Sequence, residues 1–192
     1  FIELDPNDAI AYSNRGASKA SLKDNYGAIA DYNKAIEIDP NDTGAYFNRG
    51  VSKYRLKDYY GAIADNTKVI EIDPNDTGAY YNRSNSKFKL KDYYGAIADN
   101  TKAIEIDPNY ASAYSNRGVS KHMLKDYYGA IADYTKVIEI DPNDAENYTN
   151  RGISKHSLKD YYGAIADYTK AIELDPNDAT AYSQRGVSKY YN

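Results

Sequence analysis

A stretch of the form YYGAIADYTKAIELDPN occurs five times at a constant spacing of 34 residues, with no insertion or deletion. The copies begin at Asn25, Tyr59, Tyr93, Tyr127 and Tyr161, and a further Asp-Pro-Asn at Asp5 stands 34 residues ahead of the one at Asp39. A fixed period of this length marks stacked supersecondary units, because a single short unit cannot bury its apolar face alone. The period overrides the prior that 192 residues form one ordinary globular domain.

Within each period the pattern predicts helix, turn, helix. In the fifth copy, residues from Ala145 to about Leu158 read as helix A and Lys159-Asp160 as the turn. Asp160 is the expected N-cap of helix B, which runs from about Tyr162 to Leu174. Ala164, Ile165, Tyr168, Ala171 and Ile172 fall at helical spacing and form one apolar stripe. The Asp-Pro-Asn-Asp segments end one helix and cap the next, since Pro disfavours helical geometry in the residue before it. The expected organisation is one solenoid domain with units at 9–42, 43–76, 77–110, 111–144 and 145–178. Residues 1–8 read as the end of a truncated preceding unit, with Phe1–Leu4 closing its second helix, and 179–192 as the first helix of a sixth.

In the fifth unit Tyr148, Gly152, Ala164, Tyr168, Ala171 and Pro176 occupy unit positions 4, 8, 20, 24, 27 and 32. This chain resembles the tetratricopeptide repeat family, whose 34-residue units carry aromatic, Gly, Ala, aromatic, Ala and Pro at those positions. The resemblance covers essentially the whole chain. It implies an all-α fold, a right-handed superhelical solenoid, with a concave groove lined mainly by the A helices. It also implies a non-enzymatic scaffold that binds a partner protein or an extended peptide in that groove.

Two departures from the family recur. Position 7, usually Leu, is Arg15, Arg49, Arg83, Arg117, Arg151 and Arg185, and position 11, usually Tyr, is Lys in every unit. The Asn-Arg-Gly version resembles repeats common in bacterial, especially cyanobacterial, proteins. A buried Arg left without a partner would cost about 3–5 kcal/mol, so its partner must recur too. The candidates are Asp31, Asp65, Asp99, Asp133 and Asp167, with stacking on nearby tyrosines in support, and these pairs are expected to be structural.

Helix B is nearly constant, while helix A varies at positions 2, 5, 9 and 12, which share one face. The residues expected to line the groove there are Phe47, Tyr81, Val51, Asn85, Val119, Ile153, Tyr54, Phe88, His122 and His156. Where position 24 is Asn (Asn66, Asn100), position 5 is aromatic (Phe47, Tyr81), so a simple exchange of aromatic volume between the helices competes with a binding role. Position 6 is Asn14, Asn48, Asn82, Asn116, Asn150 and then Gln184. An amide donates and accepts, so a row of them can hold a peptide backbone without reading its side chains. This resembles the asparagine ladders of family members that hold extended peptides. Stacking of neighbouring helices is the competing role. The Lys and Arg of the family's carboxylate clamp are missing from positions 2, 5 and 6.

Other chemistry is not suggested. The sequence has no cysteine, no HExxH, GxSxG, P-loop or GxGxxG, and its acidic residues recur at cap or solvent positions, so neither catalysis nor a metal or cofactor is expected. The two histidines stand one unit apart, too far for shared ligation, and are expected to make groove binding pH-sensitive below about pH 6.5. A net charge of −4 argues against a nucleic-acid partner, and no apolar run is long enough for membrane insertion. No signal peptide is visible, and the chain begins at Phe1 in mid-unit, which reads as a fragment. The cytoplasm is the default expectation, with any targeting segment outside the chain. The rival functions are head-to-tail self-association and service as the substrate-recruiting arm of a larger enzyme.

Overall fold

The computed structural model describes residues 7–192, so the expectation for Phe1–Leu4 and the Asp5-Pro6 stop lies outside the described residues. Eleven α-helices and no strand occur among the described residues. The A helices are α1 (Ala9–Ser21), α3 (Thr43–Arg55), α5 (Thr77–Lys89), α7 (Ala111–Met123), α9 (Ala145–Ser157) and α11 (Ala179–Tyr191). The B helices are α2 (Asn25–Ile38), α4 (Tyr59–Ile72), α6 (Tyr93–Ile106), α8 (Tyr127–Ile140) and α10 (Tyr161–Leu174). They form two compact units, Phe1–Asp99 and Asn100–Asn192. In the first, α1 packs on α2, α3 on α4, each B helix on the next A helix, and successive A helices on one another. The second repeats this scheme with α7 to α11.

The turn from A to B is closed by backbone hydrogen bonds. In the first copy Lys23 N–H donates to Ala20 O at 3.1 Å and Asp24 N–H to Lys19 O at 2.9 Å, a Schellman end. Such an end requires left-handed geometry, and Lys23, Lys57, Lys91, Lys125 and Lys159 supply it at φ of 62–65°. Asp24 then caps α2 by accepting from Gly27 N–H at 2.9 Å, so one residue ends one helix and starts the next. From B to A, Asn41 N–H bonds Asp39 Oδ1 and Ala45 N–H bonds Asp42 Oδ1, each at 2.9 Å. Tyr110 takes the Asp42 position ahead of α7 and gives no side-chain cap there.

The core is built from small residues, with one buried ring at position 24 in the first, fourth and fifth copies (Tyr32, Tyr134, Tyr168) and buried Asn66 and Asn100 there in the second and third. Ala28, Tyr32, Ala35 and Ala45 form one cluster, and Ala164, Tyr168, Ala171, Ile172 and Ala181 another. The glycine of helix A lets that ring lie flat on the backbone. A Cβ at Gly118 would stand 2.7 Å from Tyr134, and one at Gly152 would stand 2.6 Å from Tyr168, closer than carbon atoms pack. Burial pushes the Tyr134 and Tyr168 hydroxyl pKa values well up. In the fifth copy the core alanine is replaced by buried Asn147. Its amide donates to Asp144 Oδ2 and accepts from Ser115 Oγ, so the polar group is paired.

Candidate functional site

Each complete unit contains one arginine–aspartate–lysine cluster between its two helices. Arg117 Nε and Nη2 reach the two oxygens of Asp133 at 3.0 and 2.7 Å, and Lys121 Nζ reaches Oδ2 at 2.8 Å. The same fork joins Arg15 to Asp31, Arg49 to Asp65, Arg83 to Asp99 and Arg151 to Asp167, with Lys19, Lys53, Lys87 and Lys155 as the second cations. The aspartates are buried. Each guanidinium also covers a tyrosine of its own helix, from 5.2 Å at Tyr12 to 5.5 Å at Tyr80. Burial alone would push the Asp31 carboxyl up, but the hydrogen bonds from Arg15 and Lys19 outweigh it and hold the carboxyl below its ordinary value. The Asp31 hydrogen bond in turn raises the Arg15 pKa.

Two features of this cluster escaped the sequence reading. One is the lysine, whose i, i+4 spacing from the arginine was visible but whose convergence on the same carboxylate was not. The other is a bond to the preceding unit. Arg49 Nη1 donates to Asn33 Oδ1 at 2.7 Å, and Arg83, Arg117 and Arg151 donate to Thr67, Thr101 and Thr135 at 3.1 Å. In the second to fifth copies the guanidinium therefore joins helix A both to its own helix B and to the one before.

The variable face of the A helices is less uniform than its spacing suggests. Tyr54, Phe88, His122 and His156 are half-buried, and each ring packs against the first aromatic of its own helix B. The partners are Tyr59, Tyr93, Tyr127 and Tyr161, with centroids 5.0–5.4 Å apart. Position 12 thus supplies half of a ring pair that closes the hairpin. The histidines are further tied across units: His122 Nδ1 lies 2.9 Å from Ser154 Oγ and His156 Nδ1 lies 2.8 Å from Ser188 Oγ. Ser154 already gives its hydroxyl proton to Asn150 O at 3.1 Å, so it accepts from His122 and the neutral ring carries its proton on Nδ1. Burial lowers the His122 pKa, so this ring takes up its second proton at a lower pH than a free imidazole.

Phe47 extends to the next A helix, 3.1 Å from where a Gly78 Cβ would lie. It does not refill the volume given up at Asn66, where a cavity of about 70 Å³ remains, and the proposed aromatic exchange is therefore incomplete. Val51, Tyr54, Asn82 and Asn85 line that cavity with Gly50 and Asn66. Asn66 Nδ2 donates to Ala62 O at 2.8 Å, while its buried Oδ1 has no hydrogen-bond partner. Tyr81 and Val119 are half-buried on the same face of α5 and α7. Asn150 and Ile153 border a hollow of about 330 Å³ with Glu146, Thr149, Asp175 and Asp178. Thr149 Oγ1 donates to Asp178 there at 2.7 Å.

Asn48, Asn82, Asn116 and Asn150 are half-buried, and Asn14 is exposed. The backbone carbonyls of Asn14, Asn48, Asn82, Asn116 and Asn150 each accept a serine hydroxyl one turn on, at 2.9–3.1 Å. The side-chain amides of Asn48, Asn82 and Asn150 form no hydrogen bond with another of the described residues. Among the described residues no group of three or more His, Cys, Asp or Glu can hold a metal ion, and no helix is long and apolar enough to cross a membrane.

Comparison with known proteins agrees with this geometry. Family models described as Tetratricopeptide repeat match residues 111–144, 145–178 and 43–76, and one described as TPR repeat matches 20–57 and 84–125. The crystal structure of MamA protein superposes with a TM-score of 0.82 at 26% identity, over 89% of this chain and 93% of that one. YrrB, a TPR protein, gives a TM-score of 0.82 at 23% identity over 94% and 93% of the two chains. A tetratricopeptide repeat protein from Parabacteroides merdae ATCC 43184 gives 0.85 at 17% identity over 95% and 73%. No curated protein matches by sequence. The Gly-on-ring packing, the paired helices of constant length and the matched repeats together place the chain in the tetratricopeptide repeat family.

Proposed function

We propose that the chain is a non-enzymatic protein-interaction scaffold that holds an extended peptide along the exposed face of its A helices. The observation that supports this is the set of half-buried amides of Asn48, Asn82 and Asn150, which have donors and acceptors in place and no partner among the described residues. A stacking role would engage those amides with the adjacent helix. A peptide backbone presents one donor and one acceptor per residue, which an amide can pair with. Selectivity comes from the side chains that differ between copies, chiefly Val51, Asn85, Val119 and Ile153. YrrB is described as having an unusual peptide-binding site, but at 23% identity that likeness bears on the fold alone.

The test is selection of random twelve-residue peptides displayed on phage, followed by titration of the best binder. Asn48→Ala/Asn82→Ala is expected to weaken binding at least tenfold while the helical circular dichroism is unchanged. Equal binding by both proteins would return these amides to a packing role. Self-association is the second reading, favoured by Tyr26, Tyr60, Tyr94, Tyr128 and Tyr162, one on each B helix and each 76–77% exposed. Sedimentation across a hundredfold concentration range separates the two readings, since only self-association makes the mass rise.

A further inference from the structure

The first unit lacks the ring pair that closes the other four hairpins. Where those have Tyr54–Tyr59, Phe88–Tyr93, His122–Tyr127 and His156–Tyr161, the first has Ala20 and Asn25. A hollow of about 600 Å³ borders both residues, within the size range of specific ligand sites, roughly 300–1,000 Å³. Ala17, Ala20, Val51 and the buried ring of Tyr32 give it apolar walls.

Its polar groups are specific. Lys23 and Arg55 are the charged residues lining the hollow, with no carboxylate among its lining residues, although the whole chain carries a net charge of −4. Arg55 has only a long bond, from Nη1 to Ala20 O at 3.4 Å, and no ion pair. The buried Oδ1 of Asn25 has no hydrogen-bond partner. Asn25 Nδ2 donates weakly to Lys23 O at 3.5 Å, so turning the amide over would set two oxygens against each other. The hollow therefore offers apolar walls, an acceptor in need of a donor, the free amide of Asn48 and a cationic rim.

We infer that this hollow is an anchor pocket for a tyrosine side chain flanked by an acidic residue in a bound peptide. The ring occupies the space that the chain's own ring pairs fill in the other hairpins. Its hydroxyl donates to Asn25 Oδ1, and the adjacent carboxylate pairs with the forked donors of Arg55. The inference rests on the peptide-binding reading and adds which side chain is read and where.

The test uses fluorescein-labelled ten-residue Gly/Ser peptides with Asp-Tyr, Asp-Phe, Asp-Ala or Asn-Tyr at the centre, titrated by fluorescence anisotropy. The Asp-Tyr peptide is expected to bind at least tenfold tighter than Asp-Ala and about threefold tighter than Asp-Phe. Ala20→Tyr/Asn25→Tyr copies the native Tyr54–Tyr59 pair, so it fills the hollow with a tested arrangement, and it should remove the preference for Tyr over Ala. Arg55→Gln should equalise the Asp-Tyr and Asn-Tyr peptides and leave the preference for Tyr over Ala. Undiminished Asp-Tyr binding by the filled variant, or no preference in the wild type, overturns the inference. If those peptides fail while a phage-selected peptide still loses affinity in Asn48→Ala/Asn82→Ala, the anchor pocket falls and the groove stands. If neither kind of peptide binds, both fall.

Discussion

Asp133→Asn is the sharpest test of the charge cluster. Asp133 is 4% exposed along its side chain, against 15% for Arg117 and 19% for Lys121, so all three charges sit largely out of water. The variant keeps the shape and one oxygen for the guanidinium. It also leaves two cations without a counter-charge and turns an amide donor toward one of them. Removing one partner of a buried pair costs about 3–5 kcal/mol, and the retained oxygen places this variant near the lower end. About 3 kcal/mol corresponds to more than a hundredfold in the folding constant. The control is Glu139→Gln, which breaks the Lys136–Glu139 pair at 3.1 Å, where the side chains are 43% and 61% exposed. That pair is an exposed one, worth roughly 0–1 kcal/mol. The triple variant Arg117→Leu/Lys121→Tyr/Asp133→Ala removes every charge together and is expected to lie within about 1 kcal/mol of wild type, because no charge is then left unpaired. Urea unfolding should be read by both circular dichroism and tyrosine fluorescence, since repeat arrays do not always unfold in one step. A cost below about 1 kcal/mol for Asp133→Asn, or one that vanishes in 1 M salt, would show that the cluster behaves as a screened surface pair and refute the argument.

Two further outcomes follow from the packing. Gly152→Ala should destabilise by about 1–3 kcal/mol, since its Cβ would meet the Tyr168 ring. Gly186→Ala, at the same unit position with nothing within 4 Å, should be neutral or stabilise by up to about 1 kcal/mol; equal effects in urea unfolding would refute the close-approach account. Burial lowers the His122 pKa, so below about pH 6.5 the unfolded chain takes up a proton that the folded chain resists. That contribution is complete above about pH 6.5 and declines as the pH falls towards the folded pKa. The drop in Tm between pH 7.5 and 5.5 should therefore be smaller in His122→Phe, which copies Phe88, and an equal drop would refute it.

The legible part of this protein was whatever recurs. Five copies at one period made the helices, their caps and the Arg–Asp partnership readable, because a feature repeated in every copy belongs to the stacking itself. Asp160 as the N-cap of helix B follows from local geometry that a sequence carries in its spacing. What spacing cannot carry is which side chains meet across helices. Position 12 shared a face with the variable residues, yet its rings turn to the hairpin partner, and the histidines reach a serine two helices on. The lysine's place on the same carboxylate and the arginine's bond to the preceding helix B also depend on how neighbouring units lie against each other.

The hollow beside Ala20 and Asn25 shows the division most clearly. Both residues were plain in the sequence as exceptions to the repeat, 5 residues apart. Only the folded hairpin makes them opposite halves of one missing ring pair, brings Arg55 of the next helix A to the rim and leaves Asn25 Oδ1 without a donor. The sequence by itself determined the units, their length and the chemistry repeated in each. Which faces are closed by packing and which stay open was decided by the tertiary structure, because that depends on volumes meeting between helices distant along the chain.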